Sequence, residues 1–165
     1  MSLKPESIRQ PASTGIVYAI IKTGLVAGSL DIIFALAQYY LKTGKNPIVL
    51  LKYIASAVLG KEAFTGGYPM VVTGLLFHFL IAFAWTIFFF LLYPRIPLLA
   101  KNKIITGLLY GVFIWLVMNL VVVPLTKIPP SSFNAVKAII GMLILMIAVG
   151  LPISLLARRY FLKRL

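Results

Sequence analysis

The sequence predicts an all-α polytopic membrane protein. Four transmembrane helices form a bundle, and a short interfacial amphipathic helix lies in the first outer loop. Three observations carry this. Of the 165 residues, 61% are hydrophobic and only 12% are charged, against roughly 25% charged in a soluble domain. A water-soluble globule would lack the polar groups to cover itself, as the mean hydropathy of +1.03 also says. Four apolar runs each reach the ~20 residues that cross a hydrocarbon core as a helix. They are continuous rather than alternating, which excludes the ~10-residue strands of a barrel.

Residues 1–14 form a polar tail containing Pro5 and Pro11. No small-x-small cleavage site follows the first span, so a cleaved signal peptide is not expected. A single membrane domain then covers residues 15–165. The first span runs over about 15–41, and Asn46-Pro47 follows as a helix start, with Asn as cap and Pro at the first helical position. Gly60 is a stop. The intervening helix, about 47–59, covers ~20 Å and is too short to cross. Lys52 and Ser56 share a narrow polar face, which reads as a helix lying in the outer interface; a re-entrant helix is the other reading. The Gly60–Pro69 stretch returns the chain without the spacing of a phosphate-binding loop. The second, third and fourth spans cover about 70–93, 104–125 and 133–157. Gly150-Leu151-Pro152 predicts a kink in the last of these. Tyr39, Tyr40, Tyr68, Tyr93 and Tyr160 sit near span ends, where interface aromatics belong.

Four spans put the N-terminus, the second loop and the C-terminus on one side. That side carries Lys4, Arg9, Arg95, Lys101, Lys103, Arg158, Arg159, Lys163 and Arg164. The other carries Lys42, Lys45, Lys52, Lys61 and Lys127. The bias toward the first side predicts cytoplasmic termini. Arg158, Arg159, Lys163 and Arg164 form a basic end suited to anionic lipid headgroups. The net charge of +13 is therefore spent at span ends. It is not gathered on a soluble face, so nucleic acid is not an expected partner.

Several chemistries are excluded by composition. There is no cysteine and one histidine, which removes thiolate chemistry and leaves no metal site. Three acidic residues, Glu6, Asp31 and Glu62, are too few for paired-carboxylate catalysis or an oxygen cage. No Gly-x-Ser-x-Gly elbow or His-Glu-x-x-His motif is present. No cofactor and no enzymatic activity are expected.

The informative residues are the polar and small ones inside the spans. At 100° per residue, Gly24, Ala27, Gly28, Asp31, Ala35 and Gln38 fall within about 60° of one line. Asp31 is the only carboxylate inside a span. At mid-span an unpaired Asp costs roughly 2.5–3.5 kcal/mol, so it should face the bundle. Asp31 is nine residues from Tyr40 and His78 is nine from Pro69, which sets the two at similar depth. Gly74, His78, Ile81 and Trp85 share a face. Lys137 shares a stripe with Asn134, Gly141, Ala148 and Pro152, and Asn119 sits at about its depth. Asp31, His78, Asn119 and Lys137, with Gln38, thus form an intramembrane polar cluster. It reads either as a proton-relay or ligand site or as a network that fixes how the helices dock.

Gly24-x-x-x-Gly28 and Gly107-x-x-x-Gly111, with Gly74 and Gly141, supply small faces for close helix approach. Thr23-Gly24-Leu25-x-x-Gly28 and Thr106-Gly107-Leu108-x-x-Gly111 have the same form 83 residues apart. Duplicated helical hairpins would give this, as would coincidence between glycine-rich spans.

The stretch from His78 through Tyr93-Pro94-Arg95-Ile96, Gly107-x-x-x-Gly111 and Val123-Pro124-Leu125 to Pro129-Pro130 resembles the YagU-like family of small bacterial inner-membrane proteins. The resemblance implies residence in a bacterial inner membrane and a connection with acid tolerance. Two functions follow from the residues. One is a non-enzymatic bundle acting by self-association, as a homo-oligomer, or as an accessory subunit of a membrane complex. The other is a small proton-linked transporter or permease using Asp31 and His78.

Overall fold

The computed structural model describes residues 13–129 and 134–162. Among these every regular element is helical. In chain order they are α1 (Ser13–Thr43), α2 (Ile48–Leu59), α3 (Gly67–Leu92), α4 (Leu98–Lys101), α5 (Lys103–Val117), α6 (Ala135–Ile144) and α7 (Leu151–Leu162). A 3₁₀ segment, Gly60–Phe64, joins α2 to α3. Two π turns and a second 3₁₀ turn complete the set: Met118–Val122 extends α5 and runs into the 3₁₀ turn Val123–Leu125, and Leu145–Gly150 joins α6 to α7. Four helices are long and apolar enough to cross a membrane: Gly15–Thr43, Gly67–Leu92, Lys103–Leu125 and Ala135–Leu162. The chain is an all-α, four-span membrane protein. Most of the expected 1–14 tail, together with Phe133, Lys163 and Arg164, lies outside the described residues.

The spans alternate in direction, and their contacts follow the small residues. A Cβ on Gly24 would meet the Phe83 ring at 2.5 Å, and one on Gly28 would meet Phe79 at 2.9 Å and Ala82 at 3.1 Å. The absence of side chains at these two positions lets α3 lie against α1. On the other side of the bundle Gly107, Gly111 and Gly150 bring α5 onto the fourth span. A Cβ on Gly107 would stand 2.9 Å from the Gly150 carbonyl oxygen, and one on Gly150 would fall on that of Gly107. α1 also packs against α7 and the second π turn. The spans therefore run α3, α1, fourth span, α5 around the bundle.

These glycines are not equivalent. Gly24 faces a ring on a half-buried side chain that can turn aside, whereas Gly150 faces backbone. In Gly24→Ala, a displaced Phe83 rotamer costs roughly 0.5–1.5 kcal/mol, and better helix propensity returns roughly 0.8–1.0. The expected thermal stability in detergent is close to that of the parent.

The core is aromatic toward the end of the bundle that holds the chain termini. Phe89, Phe90, Tyr93, Tyr110 and Ile153 are buried there with Ala27, Val149 and Ala157. Tyr93 stacks on Phe161 at 4.9 Å, and Phe89 meets Tyr110 at 4.7 Å. α3 and α5 face each other chiefly through Trp85, Phe88, Phe89, Tyr110 and Phe113. The Tyr110 hydroxyl donates to the Trp85 carbonyl at 2.6 Å.

α2 leans on the N-terminal half of α3. Leu51 is buried between Ile32 and Val71, and a Cβ on Gly74 would fall on the Leu51 carbonyl oxygen. Asn46 caps the helix, its Oδ1 accepting from Ile48 N–H at 3.0 Å. Gly60 stops it at φ 73°, a left-handed conformation that suits glycine. The Lys52 ammonium donates to the Phe64 carbonyl at 3.2 Å, and the Lys127 N–H donates to the Ala57 carbonyl at 2.9 Å. Both edges of α2 are thereby tied, one to the following turn and one to the loop after the third span.

Both π turns end two residues before a proline: Val122 before Pro124 and Gly150 before Pro152. Proline has no N–H to donate, and its ring presses on the carbonyl four residues back. Widening the preceding turn relieves that clash without breaking the helix. Where a kink is expected at Gly150-Leu151-Pro152, the structure has the π turn Leu145–Gly150.

Candidate functional site

The site is built where α1 and α3 touch. Gly28 leaves its own carbonyl accessible, and the His78 Nε2 lies 2.8 Å from that oxygen. A carbonyl can only accept, so Nε2 carries a proton. The other ring nitrogen, Nδ1, then points at Asp31, with Oδ2 4.0 Å away. His78 is buried, and the Asp31 side chain keeps a fifth of its surface. The Phe79 ring meets the imidazole edge-on at 5.5 Å. With Nε2 a donor, one further proton on Nδ1 or on the carboxyl makes the pair either imidazolium and carboxylate or neutral imidazole and carboxylic acid. Both forms carry no net charge, which is how an ionisable pair can persist in apolar surroundings.

The pair borders a cleft of about 510 Å³. α2 roofs it with Tyr53, Ile54, Ala57 and Val58, and α3 contributes Phe77, His78, Ile81 and Trp85. The facing wall comes from Ile114 of α5 and from both π turns, through Met118, Asn119, Val122, Leu145 and Val149. The lining is mostly apolar, with Asp31, His78, Asn119, Thr126 and the Tyr53 hydroxyl as its side-chain polar groups. Burial holds the Tyr53 phenol above its ordinary range, so it presents a neutral hydroxyl. The cleft is not sealed: Leu80, Val58 and Asn119 line it and are also exposed. A second, apolar cleft of about 600 Å³ lies in the same α3–α5 seam on the other side of the aromatic cluster, edged by Lys101 and Asn102.

The expected polar cluster is thus brought together in part. Asp31 and His78 meet. Asn119 lines the far wall, its amide donating to the Trp115 carbonyl at 2.9 Å. Lys137 does not join them. It sits on the exposed side of α6, one turn from the helix start, where Asn134 accepts from its N–H at 3.0 Å. A lysine so near a helix end reaches outward along its stem. Gln38 lies two turns beyond Asp31 and does not line the cleft. Gly141 is partly buried, with room for a Cβ 3.5 Å from the Trp115 ring nitrogen. Arg158 is half-buried and Arg159 exposed at the end of α7.

Sequence reading gave no sign of the cleft itself. Its polar floor follows from helical rise and periodicity. Its walls depend on α2 leaning against α3 and on the two π turns. The one available signal was the proline two residues beyond each turn. The chain matches no protein-family model, no curated protein sequence and no solved structure.

Proposed function

We propose that this protein is a small proton-linked transporter whose substrate site is the cleft bordered by Asp31 and His78. One observation carries the reading: a carboxyl and an imidazole, two proton-binding side chains 4.0 Å apart, border a ligand-sized apolar space. A volume of about 510 Å³ lies within the roughly 300–1,000 Å³ of small-molecule sites. Ionisable residues inside spans are costly and mark substrate or proton paths. The flanking π turns add support, because such turns recur at functional positions.

The competing reading, an assembly module acting by self-association or as an accessory subunit, drew on the glycine faces. Gly24, Gly28, Gly74, Gly107, Gly111 and Gly150 are each approached by another part of the same chain, so they offer little to a second copy. We place the protein in a bacterial inner membrane with both termini in the cytoplasm. The basic residues support the orientation.

Reconstitution tests the function. In proteoliposomes under an imposed pH gradient, at least one class among cationic, anionic and neutral amphiphiles should collapse the gradient. Asp31→Asn should abolish that collapse. Absence of solute-dependent proton movement across the whole panel would remove the proposal.

A further inference from the structure

We infer that the cleft selects lipophilic monovalent cations, an ammonium or phosphonium centre on an aromatic or alkyl body, which enter sideways between α3 and α5 and replace the proton shared by Asp31 and His78. The inference rests on the proton-exchange reading and names its substrate class.

Charge is the first argument. Asp31 is the only carboxylate among the described lining residues. The titratable groups facing the cleft are Asp31 from α1, Tyr53 from α2 and His78 from α3. α5 with its π turn adds Asn119, and the fourth span adds Leu145 and Val149, none of which titrates. In the exchange we infer, the pair starts with one proton and no net charge. A bound cation beside the carboxylate, with that proton released and Nε2 still donating to Gly28, restores the same net charge. One positive charge enters and one leaves, so an apolar space never holds an unbalanced ion. An anion would add a negative charge beside Asp31, and a neutral solute would gain nothing from the carboxylate.

The second argument is the lining. Phe77, Tyr53 and Trp85 line the cleft, and aromatic faces attract cations. The third is the route. Lys42, Lys45, Lys52, Lys61 and Lys127 lie on the α2 side of the bundle and disfavour a cation arriving from water. Of the exposed rim residues, Leu80 and Val58 are apolar and Asn119 is uncharged. A lipophilic cation dissolved in the bilayer meets that rim directly.

Tetraphenylphosphonium and tetraphenylborate provide the test, since they share a shape and differ in sign. With the full chain in mild detergent, phosphonium binding should saturate and release one proton per cation into weakly buffered solution. It should also change Trp85 emission in a Trp115→Phe background. The borate should bind at least tenfold more weakly. Asp31→Asn should weaken phosphonium binding at least tenfold and end proton release, while Asp31→Glu should keep both. The comparison of the two ions needs no substitution, so it stands whether or not a variant folds. Equal binding of the two ions overturns the inference, as does phosphonium binding without proton release. If only anionic or neutral solutes collapse a pH gradient in vesicles, the cation assignment falls and proton exchange stands. If no solute does so, both fall.

Discussion

His78→Leu should destabilise the protein by about 3 kcal/mol or more and end proton exchange. The substitution removes the Nε2 contact to the Gly28 carbonyl and the partner that Oδ2 of Asp31 faces at 4.0 Å. Asp31 is then left in an apolar cleft with no ionisable neighbour among the described lining residues except the Tyr53 phenol. Breaking one side of a buried pair is more harmful than removing both sides, because the survivor keeps its desolvation penalty. The double variant Asp31→Leu/His78→Leu should therefore be more stable than His78→Leu alone. Thermal denaturation in detergent measures all four corners of the cycle. A coupling near zero would show that the two side chains do not act as a pair. A stable double variant without solute-driven proton movement would separate the pair's chemical role from its part in packing.

Gly150→Val should leave little folded protein. The three atoms nearest a Cβ at this position all belong to the backbone of α5: the Gly107 carbonyl oxygen and the N and Cα of Gly111, the last two at 2.7 and 3.0 Å. No rotamer change can relieve that contact, so α5 must move away from the fourth span. The penalty exceeds the roughly 1–3 kcal/mol of ordinary overpacking. Size-exclusion chromatography should show aggregate or a shifted species where the parent gives one peak. The same measurement on Gly24→Ala should look like the parent, since Phe83 can turn. An unshifted Gly150→Val would mean that the fourth span is not seated on α5 as described.

The two predictions also mark what the sequence made legible. The four spans needed only length and hydropathy, because the bilayer leaves a chain few choices. The Asp31–His78 pair needed only helical rise: equal residue counts from the ends of adjacent antiparallel spans give equal depth. Lys137 shares a stripe with Gly141 and Ala148, yet it lies on the exposed side of α6 near its start and does not line the cleft; there a long stem can follow the helix surface to the interface instead of reaching Asp31. The glycine faces were visible, but their partners were not. A small-residue stripe says that something comes close, and only the packed chain says that it is Phe79 and Phe83 for α1 and the fourth span for α5. The cleft was the least legible feature. It depends on how α2 rests on Gly74, a relation between segments that no single run of residues encodes.

The paired prolines give the third and fourth spans something the first two lack. Each carries one surplus residue parked in a wide turn. A surplus of this kind is portable: passing it along the helix exchanges one hydrogen-bond partner for the next and swivels the intervening side chains by about 100°. Asn119 and Met118 lie in one such turn, and Val149 lies in the other. One wall of the cleft is therefore carried on the two wide turns, while the opposite wall stands on the unbroken helices α1 and α3.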